Sequence, residues 1–362
     1  MTNHPLLQSK PSILPPTVVL EMTYRCNHQC VFCYCPWYSG QLSKGRELTT
    51  DEWKEVIREL LSAGVVHFSF SGGEAILRDD LREIIDFLLA SKAQYREFDA
   101  NDQWVEYEGA PKINLLSNGR ALTREWIDYC AENQIKLAIS LPGLRSFRAN
   151  TGSDTDPERI LQHFQYAKSV RCPNNVGIVV TKLNFPELYE TIAAALLAGA
   201  DAVLLNRFLP GGRGLSHPEL ELTADEIRTV ADIAEEVLSR ANRKGIFGTE
   251  MPSCLIDPAQ YHYLQVSTGC GAVTNFFTVG PSGRIRGCNH SPVELVNVCQ
   301  WRDLPENSEW MNYVRQKNIS PECEGCAVLF QCLGGCREAA RVTTGSPCGM
   351  DPVFKTAKIR KQ

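Results

Sequence analysis

The chain has 362 residues, 43% of them apolar, and a formal net charge of −5. That length allows one large core plus a smaller domain, and the acidic balance without a long Lys or Arg run speaks against a nucleic-acid partner. No run of eighteen apolar residues occurs, so no membrane span is expected.

Residues 1–16 are polar and proline-rich and lack the charged-then-apolar order of a signal peptide. They are read as an N-terminal extension, and a cytosolic location is expected. The fifteen cysteines are then unusual. Their number is odd and their spacing clustered, which suits metal-held thiolates better than disulfides.

Residues 17–21 form the first β-branched run, and Cys26-x3-Cys30-x2-Cys33 follows it directly. The triad therefore sits on the loop at the C-terminal end of a strand, where α/β folds place their sites. Three cysteines can wrap an iron–sulfur cubane but leave one iron open, as a catalytic site requires. Cys35 is an alternative fourth ligand, although Cys33-Tyr34-Cys35 is a short span for two ligands to one cubane. A helix is expected with Thr50 as its N-cap candidate and with Trp53, Val56, Ile57 and Leu60 at helical spacing. A second strand at 65–70 ends in Ser71-Gly72-Gly73-Glu74.

Further helices are expected over 81–89, 124–133, 157–170 and 186–197, and further strands over 113–117, 136–140, 176–181 and 202–206. The strands read as nearly continuous apolar runs, as in a parallel sheet covered on both faces. Six strands alternating with helices predict a parallel α/β architecture, either an open sheet or a partial barrel. Residues 95–109 interrupt the alternation around Asn101-Asp102 and fit an inserted β-hairpin. Both a surface loop and a lid or docking surface are compatible with it. Cys130 and Cys172 fall in or beside helices and read as inert core residues.

A long helix over 223–243 precedes a composition rich in Cys, Gly and Pro, and a domain boundary is placed at 245. Beyond it come Cys254, Cys270, Gly283-x4-Cys288, an unassigned Cys299, Cys323-x2-Cys326-x5-Cys332-x3-Cys336, and Cys348.

The Cys26–Cys33 segment resembles the CxxxCxΦC signature of radical S-adenosylmethionine (radical SAM) enzymes, and Gly72-Gly73-Glu74 resembles that family's GGE motif. The seven C-terminal cysteines from Cys270 resemble a SPASM domain. The resemblance implies a partial parallel (β/α)6 barrel over 17–245 and an auxiliary-cluster domain over 246–362. It implies AdoMet on the open iron of a [4Fe-4S] cluster held by Cys26, Cys30 and Cys33, with cleavage to a 5′-deoxyadenosyl radical. Phe32 would pack near the adenine, Gly72 and Gly73 would let the backbone approach the methionyl group, and Glu74 would accept from its ammonium. Ser140, Ser117 and Asn118 are further cofactor candidates, and the segment 206–213 either lines the cleft or is a plain glycine-rich loop.

The resemblance also implies two auxiliary [4Fe-4S] clusters. Cys323, Cys326, Cys332 and Cys348 would hold the distal one, and Cys270, Cys288 and Cys336 the nearer one. Its fourth ligand would be Cys254, or its iron would stay open to water or a substrate thiolate. Asn289 replaces the Asp that follows the second SPASM cysteine in the sulfatase-maturing branch, so His290 or Glu294 becomes the candidate base. The implied function is oxidative modification of a ribosomally made precursor peptide. Its implied partners are an electron donor such as flavodoxin or ferredoxin and a separate leader-peptide-binding protein. A small-molecule or haem-precursor oxidase and a non-catalytic metal-binding protein are the alternatives.

Overall fold

The computed structural model describes residues 13–98 and 104–356. In chain order the first part runs β1 (Thr17–Glu21), α1 (Thr50–Ser62), β2 (His67–Ser71), α2 (Leu81–Leu89), β3 (Ala93–Phe98), β4 (Trp104–Gly109), β5 (Lys112–Ser117), α3 (Arg124–Glu132) and β6 (Lys136–Ser140). It continues with α4 (Phe147–Thr151), α5 (Pro157–Ser169), β7 (Asn174–Val180), α6 (Leu188–Ala198), β8 (Val203–Arg207) and α7 (Ala224–Ala241). The six expected strands are β1, β2, β5, β6, β7 and β8, paired in parallel in that order.

Each of these strands splits its residues between two faces. Val18 and Leu20, Phe68 and Phe70, and Leu137 and Ile139 are fully buried beneath the helices, each contributing about 1.5–3 kcal/mol of transfer free energy. The inner face carries smaller or polar residues such as Ser69, Asn114 and Asn175, and Asn114 Nδ2 donates to Ser69 Oγ at 3.2 Å. The strands therefore surround an open interior, a cavity of about 770 Å³ that Ser69, Asn114 and Ala138 line.

Helix α1 starts one residue earlier than its apolar spacing suggests, with Thr49 as N-cap. Thr49 Oγ1 accepts from Glu52 N, and the Glu52 carboxylate accepts from Thr49 N at 2.8 Å. Only Thr49 has a Glu three residues on, as this reciprocal cap requires. Thr50 instead donates to Asp80 at 2.6 Å. Thr223 and Glu226 repeat the device on α7. Strands β3 and β4 form the inserted hairpin as a separate antiparallel pair; Asn101-Asp102 lies outside the described residues.

The C-terminal part contributes β9 (Gly245–Phe247), β10 (Leu264–Val266), β11 (Phe276–Val279), β12 (Arg284–Arg286) and β13 (Glu294–Asn297), then α8 (Ser308–Val314), α9 (Leu329–Cys332) and α10 (Arg337–Thr344). Strands β9 and β10 extend the sheet beyond β8, while β11 adds in parallel to the other edge at β1 and carries the β12–β13 meander. The result is one eleven-stranded sheet. A buried ion pair between Glu21 at the end of β1 and Arg286 at the end of β12 joins its two parts.

Candidate functional site

Past Glu21 the chain turns across the C-terminal ends of the barrel strands, and three neighbours hold this loop by its backbone. Met22 N donates to Ser71 O, Gly73 N to Thr23 O, and Glu74 N to Arg25 O, at 2.8–2.9 Å. A Cβ on Gly73 would stand 2.0 Å from the Arg25 carbonyl oxygen, and Gly72 adopts a φ of +123°. The two glycines thus let β2 end directly against the cysteine loop. On a second side Gln29 N and Val31 N donate to Thr151 O and Asn150 O of α4. On a third, Gly214 N donates to Cys33 O, and a Cβ on Gly212 would stand 2.5 Å from the Cys33 and Cys35 carbonyl oxygens. The segment 206–213 therefore packs on the cysteine loop.

This framework brings Cys26, Cys30 and Cys33 together, each half-buried. Burial pushes the Cys26 and Cys30 thiols up, and each is raised further by the Cys33 thiolate. Cys33 is held below the usual thiol range, chiefly by a hydrogen bond from Cys35. The Cys35 thiol is buried and also donates to Gly72 O at 3.8 Å. Arg213 lies near enough to favour the thiolates of Cys30 and Cys33, and its guanidinium stacks 3.7 Å over the Tyr38 ring.

Asn118 links the triad to Glu74. Its Nδ2 lies 3.6 Å from Cys26 Sγ and 2.8 Å from Asn27 Oδ1, while its backbone N donates to Glu74 Oε2 at 2.7 Å. Glu74 Oε1 is buried with no hydrogen-bond partner among the described residues, and burial pushes this carboxyl up to about 7. Ser117 Oγ accepts from Gly119 N at 3.0 Å. Ser140 is half-buried on the inner face at the same end of the barrel, and Phe32 is half-buried in the loop.

The C-terminal cysteines fall into two neighbourhoods. After burial and a neighbouring carboxylate, Cys336 and Cys270 raise the Cys288 thiol and Cys270 raises the Cys336 thiol. Cys254 is instead raised, after burial, by Cys332, Cys323 and Cys326, and Ser253 N donates to Cys332 Sγ at 3.3 Å. Cys348 lies apart from these contacts, its Sγ 3.9 Å from Lys317 O. Among the described residues no three His, Cys, Asp or Glu side chains converge closely enough to share a single ion. A cubane is a body of eight atoms, so its ligands stand around it at wider spacing than around one ion. Three clustered thiols beside an unpartnered carboxylate oxygen fit a cluster that carries an amino-acid-like ligand.

Tyr34 and His290 join the triad to the C-terminal cysteines, their rings stacked with centroids 4.1 Å apart and planes at 14°. Burial drives the His290 imidazole down to about 3, so it is neutral at neutral pH. Glu294 is paired with Arg284 at 3.5 Å. Sequence reasoning passed over Glu21, Arg286 and Asn27, and took in Arg213 only as the end of the segment 206–213. For Glu21 a signal existed, a lone carboxylate ending an otherwise apolar strand. Arg286 is found only through a contact across most of the chain.

Residues 20–195 match the model of the Radical SAM superfamily. The chain is 26% identical to the PqqA peptide cyclase of Bradyrhizobium diazoefficiens, with 96% of this chain and 88% of that protein covered. Streptococcus suis SuiB bound to S-adenosylmethionine has a similar fold, with a TM-score of 0.69 at 15% identity over 94% of this chain and 77% of that one. Native anSMEcpe with bound AdoMet and a Cp18Cys peptide also gives 0.69, at 18% identity over 94% of both chains.

Proposed function

We infer, from the membership of residues 20–195 in the radical SAM superfamily, that the whole chain is a maturase that oxidatively modifies a ribosomally made precursor peptide. The observation that carries this reading is the end-to-end match to a peptide cyclase, which spans the C-terminal cysteines as well as the barrel. A further SuiB structure of similar fold is bound to a precursor peptide, SuiA, which supports the same substrate class.

When bound, a [4Fe-4S] cluster with AdoMet supplies one-electron cleavage of the sulfonium and abstraction of a substrate hydrogen atom. Cys26, Cys30 and Cys33 would hold that cluster. Asn118 orients Cys26 by its hydrogen bond, and the Cys35 thiol and Arg213 favour the thiolate of Cys33. Glu74 Oε1 offers a buried acceptor to the cofactor's ammonium. Phe32, Ser117 and Ser140 would complete the cofactor site, with Gly72 and Gly73 keeping the loop against it. The inner cavity would take the peptide segment and exclude bulk water from it.

The C-terminal part, from about 246, would hold two auxiliary clusters, on Cys270, Cys288 and Cys336 and on Cys323, Cys326, Cys332 and Cys348, with Cys254 as a further auxiliary ligand. An external one-electron donor of the flavodoxin or ferredoxin kind and a separate leader-binding protein complete the system, which would work in the cytoplasm.

The test is anaerobic reconstitution followed by parallel assay of 5′-deoxyadenosine and of the mass of a short precursor peptide encoded beside the gene. About twelve irons per chain are expected, together with a mass loss in the peptide. Replacing Cys26, Cys30 and Cys33 with Ala should abolish 5′-deoxyadenosine while auxiliary iron remains. AdoMet cleavage with no change in any such peptide would move the substrate to small molecules. Stoichiometric zinc in place of iron would remove the radical reading altogether.

A further inference from the structure

The stretch from Glu250 to Cys254 runs between the two C-terminal cysteine groups. Cys254 belongs to the far side: Ser253 N donates to Cys332 Sγ, and Cys332, Cys323 and Cys326 are the thiols that act on it. A Cβ on Gly335 would stand 3.0 Å from Pro252 Cγ, so this stretch is packed tightly in place. The far group therefore has four thiols at hand even without Cys348, as many as one cubane uses. The nearer group has three, Cys270, Cys288 and Cys336.

Four residues before Cys254, Glu250 lies on the near side. Gly271 N, one residue past Cys270, donates to Glu250 Oε1 at 3.4 Å. The Glu250 carboxylate is also close enough to act on both the Cys270 and the Cys336 thiols. The other carboxylates beside this group are engaged. Asp351 is paired with Arg207 and accepts from Cys336 N at 2.7 Å. Glu338 accepts from Tyr313 Oη and from Arg341. Arg207 Nη2 touches only the backbone oxygen of Glu250, at 3.4 Å. Among the described residues no side chain hydrogen-bonds the Glu250 carboxylate, whose donors are the backbone N–H groups of Glu250 itself and of Gly271.

We propose that Glu250 is the fourth ligand of the nearer auxiliary cluster, giving it three thiolates and one carboxylate. This rests on the reading that Cys270, Cys288 and Cys336 hold a cluster at all. A carboxylate oxygen is a harder, weaker donor to iron than a thiolate. Clusters in which a non-thiolate ligand replaces Cys sit at higher potential. The nearer cluster is thereby set as the better electron acceptor of the two, and its carboxylate arm is the ligand most easily exchanged for a substrate group.

The experiment compares the anaerobically reconstituted full chain with its Glu250→Gln, Glu250→Cys and Cys254→Ala variants. Iron content, Mössbauer and EPR spectra and potentiometric titration are read for each. Glu250→Cys keeps a fourth ligand, so it should retain full iron while the midpoint potential of one auxiliary signal falls. Glu250→Gln should change or lose that same signal and leave the cluster on Cys26, Cys30 and Cys33 intact. Cys254→Ala should leave it unchanged. Wild-type spectra and potentials in both Glu250 variants, with iron retained, would overturn the assignment. A wild-type chain with only about four irons would overturn the reading beneath it, and the two failures are told apart by iron content.

Discussion

Gly73 and Glu74 are adjacent in sequence and serve the cysteine loop in different ways. Gly73 is a matter of space, because its missing Cβ is where the Arg25 carbonyl lies. Gly73→Ala must push the loop off β2 and should cost about 1–3 kcal/mol. Denaturant unfolding would show that loss, with a matching loss of iron from the cluster proposed on Cys26, Cys30 and Cys33. Glu74 is a matter of charge. Burial raises its carboxyl from 4.5 to about 7, so between those values the folded chain keeps a proton that the unfolded chain has released. The stability from this group is complete below about pH 4.5 and is lost as pH rises through about 7, on the order of 3 kcal/mol. The cluster-free protein should therefore lose stability over that window, and Glu74→Gln should remove this part of the loss. Equal pH slopes for the two proteins in urea titrations would refute the assignment.

At the scale of elements, the Glu21–Arg286 pair ties β1 to β12. Both side chains are wholly buried, and Arg286 also donates to Ser291 O at 2.6 Å. Arg286→Met leaves a buried carboxylate unpaired, and should cost about 3–5 kcal/mol. Adding Glu21→Gln should recover part of that, since the uncompensated charge is then gone; equilibrium unfolding of the two variants checks both. The same pair marks the limit of what could be read from sequence. The barrel strands were legible because each is a β-branched run flanked by an amphipathic helix, and the cysteine triad because its spacing is compact. Thr49 was missed as a cap because apolar spacing locates a helix more sharply than it locates its end. Strands β9 to β13 have only three or four residues each, too few to show a period. Neither the parallel pairing of β11 with β1 nor the opposite placement of Glu250 and Cys254 leaves any local trace. Both are set by contacts between distant segments.

For the whole molecule, the decisive feature is the position of β1 inside the sheet, with β2 on one side and β11 on the other. Ending the chain at residue 245 would remove β11 and leave the apolar strand Thr17–Glu21 as an open edge, a template for pairing with other chains. Such a shortened protein should elute as aggregates in size-exclusion chromatography, whereas the full chain should unfold in one cooperative step. A monodisperse, iron-loaded fragment would show that the barrel stands alone. The same pairing also sets a clock. Thr17 and its partner Phe276 lie about 260 residues apart, and at about 5–20 residues per second a ribosome takes roughly 10–50 s to make that stretch. Strand β1 is thus made early and enclosed late. The emerging chain must keep its cysteine loop and bare strand shielded for that time, so its soluble yield is expected to rise when chaperones are co-expressed.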